Sequence, residues 1–310
     1  MTILQAIILG IVQGLTEFIP ISSTAHLVFA ARLVGLYDGV AETLKAERTT
    51  ATIAVIQLGT LLAVLAYFSR DILNITRAFV RDHVALITGK RVASNGRRPN
   101  TLDPDEAAHR PLGLSQDAWL GWLVIIGSIP VAIVGLVFKN QIEGTFTKNL
   151  WVIATMMIVV GLLLAMAEWV GRRNRTMNDL GILDAVAVGC AQVLALIPGS
   201  SRSGSTMMAG LFAGETRETA ARFSFLLSIP AIAASGLLEL KEAIHKLPDG
   251  SYAPLIVATI VSGIVGYASI WFLLRFLRTH STGIFIVYRL VVGAAIIFAL
   301  LGGYISANAG

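Results

Sequence analysis

Long apolar runs separated by short polar segments make up most of the chain. A helix that crosses a membrane needs about 20 apolar residues. Runs of this length occupy residues 119–138, 150–170, 220–240, 253–274 and 283–305, and a slightly shorter one occupies 51–68. The pattern predicts an all-α polytopic membrane protein with about six transmembrane helices.

Two further apolar runs, at 2–35 and 181–214, are interrupted in the middle by Pro and Ser. Each therefore reads as two half-helices that form a broken re-entrant hairpin, which enters and leaves the membrane on one side. The two runs also resemble each other. Five identities, from Ile3 to Gln13 in the first copy, recur at an offset of 179. After a one-residue gap, Pro20, Ser22 and Ser23 match Pro198, Ser200 and Ser201.

This similarity predicts an internal repeat, with one copy at about 1–170 and the other at about 181–310. Three full crossings follow each broken run, and an odd number of crossings makes the two copies inverted. We expect one integral-membrane domain over residues 1–310.

Charge supports this topology. The chain is 55% hydrophobic and 14% charged. Eight Lys or Arg fall in 69–118 and three in 171–175, beside the apolar runs, which predicts cytoplasmic segments there, including a loop at about 70–118. The formal charge of +5 therefore indicates membrane orientation and not binding of nucleic acid.

The break in the second hairpin predicts an anion site. It contains the planar cation of Arg202, and Gly199 and Gly204 would let backbone approach a ligand. A half-helix that begins here would aim free N–H groups at the same point. Hydroxyl groups are supplied by Ser200, Ser201, Ser203, Ser205 and Thr206. Together these groups suit a phosphate or diphosphate, unless the hydroxyls only cap the helix and Arg202 extends to a lipid headgroup.

The break in the first hairpin favours catalysis. Gln13 and Glu17 share a helix face at i, i+4, and His26 follows Ser22 and Ser23 at i+4 and i+3. A serine near histidine and a carboxylate is the arrangement that activates a hydroxyl nucleophile. Such spacings also arise by chance, but an ionisable group such as Glu17 inside a membrane is costly and indicates function.

Gln57 and Arg289 lie within crossings, where each could line a cavity or join two helices. Glu17 is the one credible acidic ligand near the breaks, so a metal held by protein groups has thin support. A divalent cation, Mg²⁺ or Ca²⁺, could still bridge Glu17 and a diphosphate.

At these residues the sequence resembles the undecaprenyl-diphosphate phosphatase family of bacterial membrane enzymes, also called bacitracin-resistance proteins. Its first signature is similar to "GLTEFIPISSTAHL" and its second to "PGSSRSGST". The resemblance implies hydrolysis of undecaprenyl diphosphate to undecaprenyl phosphate and phosphate in the bacterial inner membrane. That reaction recycles the lipid carrier of peptidoglycan synthesis and confers bacitracin resistance.

The resemblance places functional positions at Glu17, Ser22, Ser23 and His26 in the first motif, and at Ser201, Arg202 and Thr206 in the second. One departure is Gln13, where the family often has a glutamate.

Several alternatives stay open at this point. Ser23 attacks phosphorus with His26 or Glu17 as the base, or His26 is itself the nucleophile. A transporter or flippase of polyprenyl phosphate would have the same inverted-repeat architecture. Small residues such as Gly263 and Gly266 could support a homodimer.

Overall fold

The computed structural model describes residues 1–40, 42–89, 113–138, 149–246 and 252–307. Eleven α-helices lie within these ranges. They are α1 (Ile3–Phe18), α2 (Ser23–Leu33), α3 (Glu42–Tyr67), α4 (Ser69–Ile87), α5 (Gln116–Val137), α6 (Leu150–Val170), α7 (Ile182–Val193), α8 (Arg202–Phe212), α9 (Arg217–Lys246), α10 (Tyr252–Leu277) and α11 (Gly283–Leu301).

Six of these helices are long and apolar enough to cross a membrane: α3 from Arg48, α5, α6, α9 as far as Leu237, α10 and α11. They match the six predicted crossings to within a few residues. The prediction of an all-α multi-pass membrane protein is therefore confirmed.

Both broken runs form two short helices with an interruption between them. In the first, α1 ends at Phe18 and α2 begins at Ser23. In the second, α7 continues into a 3₁₀ turn at Leu194–Leu196 before α8 begins at Arg202. Proline contributes because it has no N–H group to continue the helical hydrogen bonds.

A serine caps the second helix of each hairpin. Ser22 has φ 77° and Ser201 has φ 67°, values that are rare for residues other than glycine. Their hydroxyls accept hydrogen bonds from the N–H groups of Ala25 (3.5 Å) and Gly204 (3.2 Å). Each reversal of the chain is thus held in a strained conformation by its own cap.

The first helix of each hairpin packs against a crossing helix from the other repeat. α1 packs against α10, and α7 packs against α5. A Cβ atom added to Gly10 would lie 2.6 Å from the carbonyl oxygen of Ala258, and one on Gly189 would lie 2.3 Å from that of Gly127. Gly10 and Gly189 are a matched pair of the repeat, so both copies make this close helix contact in the same way.

The predicted cytoplasmic loop at 70–118 begins with a helix that the sequence analysis did not predict. α4 covers Ser69–Ile87 and packs against α5. The Asp82 carboxylate accepts a hydrogen bond from the N–H of Ser115 (2.8 Å), and the indole of Trp122 donates to His83 Nε2 (3.0 Å). Residues 90–112 of the predicted loop lie outside the described ranges.

Candidate functional site

An ion pair joins the two hairpins at their breaks. The Oε1 atom of Glu17, in the last turn of α1, lies 2.6 Å from Nη2 of Arg202, the first residue of α8. Only 6% of the Glu17 side chain and 12% of the Arg202 side chain are exposed. These two residues were predicted to lie in separate hairpins with complementary roles, and the structure brings them into direct contact.

Gln13 supports this pair from one turn earlier in α1. Its Nε2 group donates to Oε2 of Glu17 (3.1 Å) and lies 3.5 Å from the hydroxyl of Thr60 in α3. The other polar atom of the amide, Oε1, is buried and has no hydrogen-bond partner among the described residues. The same is true of Nη1 of Arg202. A buried acceptor and a buried donor are therefore unsatisfied around one ion pair, as expected where a polar ligand or water binds.

His26 is held on both sides of its ring. Its Nδ1 atom lies 2.7 Å from the carbonyl oxygen of Ser22, and its Nε2 atom lies 2.7 Å from the hydroxyl of Tyr288 in α11. The two rings stack with centroids 5.6 Å apart. A carbonyl only accepts, so Nδ1 carries the proton in the neutral ring and Nε2 accepts from Tyr288. Nε2 is thus the nitrogen available for chemistry.

Ser23 is not hydrogen bonded to His26. Its side chain is partly exposed and makes no hydrogen bond to any residue within the described ranges. The predicted i, i+3 proximity places the two residues on one turn of α2, but the imidazole points to Tyr288 and not to Ser23. Tyr288 was not predicted as a site residue, although it lies beside Arg289 in an apolar segment.

Arg289 in α11 connects the breaks of the two hairpins. This side chain is fully buried, and its guanidinium donates to main-chain carbonyls of three segments. Its partners include Pro20 in the first break (3.3 Å), Gly199 (3.1 Å) and Ser200 (3.0 Å) in the second, and Met157 in α6 (3.2 Å). Arg289 was predicted either to line a cavity or to join two helices, and these contacts support a joining role.

The polar residues of the second break are largely occupied by structural contacts. The Ser203 hydroxyl lies 3.4 Å from the carbonyl of Ile19, across the junction of the hairpins. The Ser201 hydroxyl lies 3.2 Å from that of Ser203. The Thr206 hydroxyl lies 2.6 Å from that of Ser224 in α9. The hydroxyls of Ser200 and Ser205 are buried without a partner among the described residues.

The two glycines of this break serve packing. A Cβ atom on Gly199, which has φ +90°, would lie 2.2 Å from the carbonyl oxygen of Ile153, and one on Gly204 would lie 3.2 Å from Nη1 of Arg289. They allow close approach to α6 and to Arg289, whereas the sequence analysis attributed them to close approach of a ligand.

The donor set does not fit a metal held by the protein. One oxygen of Glu17 pairs with Arg202 and the other accepts from Gln13. No group of three or more His, Cys, Asp or Glu side chains gathers within the described ranges. Gln57, predicted to line a cavity, is half-buried in α3, and its carbonyl accepts a hydrogen bond from Thr60 (2.7 Å).

Known proteins match nearly the whole chain, including both hairpins. A family model described as "Bacitracin resistance protein BacA" matches residues 6–295. The chain belongs to this family. A protein from Syntrophobacter fumaroxidans named undecaprenyl-diphosphatase is 50% identical, with 96% of this chain and 97% of the relative aligned. Proteins of the same name from Chlorobium phaeobacteroides and Mycolicibacterium vanbaalenii are 45% and 43% identical over 99% of this chain. The family predicted from the two signatures is confirmed.

In this BacA-family chain, a further buried carboxylate lies just after the second hairpin. Glu215, between α8 and α9, is fully buried, and neither of its oxygens has a partner among the described residues. Burial, together with the nearby charge of Asp184, raises the pKa of Glu215 to about 8, although Arg175 opposes the shift. The Arg175 guanidinium is already bound to both oxygens of Asp184 at 2.6 Å. Glu215 therefore takes up a proton on folding.

This proton uptake predicts a pH-dependent stability. Since the pKa of Glu215 rises from about 4.5 to about 8, its contribution is fully present below the lower value and is lost as the pH rises through the higher one. Glu215→Gln should flatten the fall in melting temperature between about pH 5 and pH 8 in detergent. Glu218→Gln, which alters an exposed pair with Arg278, should leave that slope unchanged. An unaltered slope in Glu215→Gln would show that another group binds the proton.

Proposed function

We propose that this chain hydrolyses undecaprenyl diphosphate to undecaprenyl phosphate and inorganic phosphate in the bacterial inner membrane. This activity would return the lipid carrier to peptidoglycan synthesis. The observation that carries the proposal is the buried pair of Glu17 and Arg202, which joins the two re-entrant hairpins. Beside it, one donor and one acceptor have no partner within the part of the chain that the structure describes. Relatives that align over nearly the whole chain are named undecaprenyl-diphosphatase.

Positive charge and free N–H groups converge where the diphosphate would bind. Arg202 offers its unpartnered Nη1, and Arg289 contributes a second cation that is held by carbonyls alone among the described residues. The first N–H groups of α2 and α8 have no helical partner, and the dipole of each helix favours an anion at this end. Preorganised donors of this kind stabilise the charge that develops when a phosphoryl group is transferred.

The chemical step divides into attack and hydrolysis. Ser23 Oγ attacks the terminal phosphorus, the bond from that phosphorus to the bridging oxygen breaks, and undecaprenyl phosphate leaves. Glu17 or Nε2 of His26 takes the serine proton, and water then releases phosphate from the enzyme. In the alternative, Nε2 of His26 forms the bond to phosphorus. Tyr288 is in both cases a positioning residue, because it fixes the imidazole whose Nδ1 is bound to Ser22.

No step of this mechanism passes through a metal held by the protein. Both oxygens of Glu17 already have partners in the protein. Any Mg²⁺ or Ca²⁺ would therefore be bound mainly by the oxygens of the diphosphate. A homodimer stays a prediction.

Two variants on one turn of α2 test the nucleophile. Ser23→Ala should lower the rate of phosphate release by ~10³-fold or more, because the attacking oxygen is lost. Thr24→Ala changes the next, exposed hydroxyl and should have little effect. The measurement is inorganic phosphate released from undecaprenyl diphosphate by purified protein in detergent. Near-normal turnover of Ser23→Ala, together with loss of activity in His26→Gln, would assign the nucleophile to His26.

The same assay separates the enzyme from the transporter. A carrier needs the anion site but needs neither Ser23 nor Nε2 of His26 as a reacting group. Wild-type protein that releases no phosphate, but moves polyprenyl phosphate across vesicle membranes, would replace the hydrolase proposal with the carrier.

A further inference from the structure

An apolar groove lies between three helices that belong to neither hairpin. It has a volume of about 260 Å³ and lies between α4, α5 and α9. Its walls come from one face of each helix, and they include Ile72, Ile75 and Phe79 from α4, Val124 from α5, and Ile229 and Pro230 from α9. Thr76 is the one polar residue of the lining, so the groove suits a hydrocarbon chain.

α4 combines this groove with two exposed edges of different character. Beside the groove, Leu73, Val80 and Val84 are about half exposed, at 50%, 57% and 52%. The adjoining edge presents Arg70 and Arg77, both exposed and without an ion pair to any described residue. An apolar edge next to a basic edge is typical of a helix that lies in the membrane–water interface.

Arg77 is adjacent in sequence to Thr76 in the groove and one turn from Val80 at its rim. Basic side chains that flank a membrane-spanning segment attract anionic lipid headgroups. A headgroup at Arg77 would therefore place the chains of the same lipid over the opening of the groove.

We propose that this groove binds one acyl chain of an anionic glycerophospholipid, whose phosphate is held by Arg77 with support from Arg70. The charge of the rim selects the headgroup, and the apolar lining holds the chain. A whole helix with its side chains is about 10 Å across and is larger than this groove, whereas a single hydrocarbon chain fits it. The bound lipid would fix α4 against α5 and α9.

The test compares lipid retention by the full-length protein. The protein is purified in mild detergent, incubated with equal amounts of phosphatidylglycerol and phosphatidylcholine, and analysed by native mass spectrometry. Wild-type protein should retain one phosphatidylglycerol in preference to phosphatidylcholine. Arg77→Gln should reduce retention of phosphatidylglycerol about fivefold, as expected for the loss of one cation at a headgroup.

A second variant tests the groove itself. Ile229→Trp fills the groove from α9 and should abolish retention of the lipid. Ile264→Trp is the matched control, because Ile264 is 67% exposed on α10 and lies outside the groove. Phosphate release should be unchanged in all three variants, which shows that they fold and that this proposal is separate from the proposed catalytic activity.

Four results would overturn the proposal. Equal retention by the two tryptophan variants would show that the lipid binds elsewhere. Retention of phosphatidylglycerol and phosphatidylcholine to the same extent would remove the role of the arginines. If Ile229→Trp loses a co-purified polyprenyl lipid but keeps phosphatidylglycerol, the groove holds the substrate tail. If it loses a dimer but keeps phosphatidylglycerol, the groove binds a second copy of the chain.

Discussion

Arg202→Ala should lower the rate of phosphate release from undecaprenyl diphosphate by ~10³-fold or more. Arginines that stabilise the transferred phosphoryl group contribute about this much in phosphoryl-transfer enzymes. Arg202 has one nitrogen on Glu17 and another, buried, nitrogen without a partner among the described residues. The first holds the two hairpins together and the second is free for the diphosphate. Arg202→Lys should recover only part of the rate, because an ammonium cannot make both contacts in the geometry of the planar fork.

The single variant also leaves Glu17 buried without its cation, which would destabilise the protein by itself. The double variant Glu17→Gln, Arg202→Met removes both charges, and its melting temperature shows how much of the instability of Arg202→Ala comes from the unpaired Glu17. It should regain thermal stability relative to Arg202→Ala while phosphate release remains lost. Recovery of activity in the double variant would show that Arg202 acts only through folding. Arg278→Ala, an exposed arginine with a surface pair, serves as the control for loss of a cation.

Arg289→Met should lower both the melting temperature and the activity. The substitution leaves the carbonyls of Pro20, Gly199 and Ser200 buried without their donor, and each such group costs on the order of 1–3 kcal/mol. The breaks of the two hairpins would lose the side chain that connects them. Phosphate release should fall ~10²-fold, since a displacement of about 1 Å at a reacting group costs this much.

Arg289→Lys keeps the charge but cannot reach all of the carbonyls at once. It should therefore retain more stability than Arg289→Met while its rate stays low. A methionine variant with normal melting temperature and normal turnover would contradict the connecting role assigned to Arg289. Unchanged melting temperature with reduced turnover would show that the guanidinium acts on substrate charge alone.

The hairpins could be predicted because their signals are local. Proline removes a backbone donor, and serine is a preferred residue at the start of a helix, so the breaks could be placed from the sequence. The contact between Glu17 and Arg202 could not be predicted from the sequence. Glu17 was identified by the cost of a charge in a membrane and Arg202 as the cation of a predicted anion site, but their 2.6 Å pairing depends on how the two repeats pack.

The register of the repeat shows where local signals fail. Alignment of the two repeats by sequence identity paired Ser22 with Ser200 and Ser23 with Ser201. In the structure Ser22 and Ser201 are the equivalent caps, and α2 and α8 begin 179 residues apart, as do α1 and α7. The second break, counted from the end of the 3₁₀ turn, has one more residue than the first. The helical segment before it, which includes that turn, is correspondingly shorter, so the helices that follow the breaks keep the same offset. Because the segment is rich in serine, identical residues could not show which serine hydroxyl caps the following helix.

Two other features depend on long-range packing. Tyr288 reaches His26 across 262 positions of sequence, and nothing near either residue indicates the pair. α4 was assigned to a solvated loop because its arginines dominated the charge pattern. Its apolar residues follow a helical period, but they pack against α5 and line the groove beside α9, and this arrangement could not be assigned before that of the crossings was known.

The exchange of packing partners between repeats has a consequence for biosynthesis. α1 leaves the ribosome long before α10, against which Gly10 and Gly14 pack. Glu17 likewise has no counter-charge until Arg202 has been made. During translation the first hairpin therefore carries a polar group and a helix face that lack their final partners. The first hairpin can reach its final packing only after α8 and α10 have been inserted, so until then its polar face lacks the contacts that hold it in the folded protein.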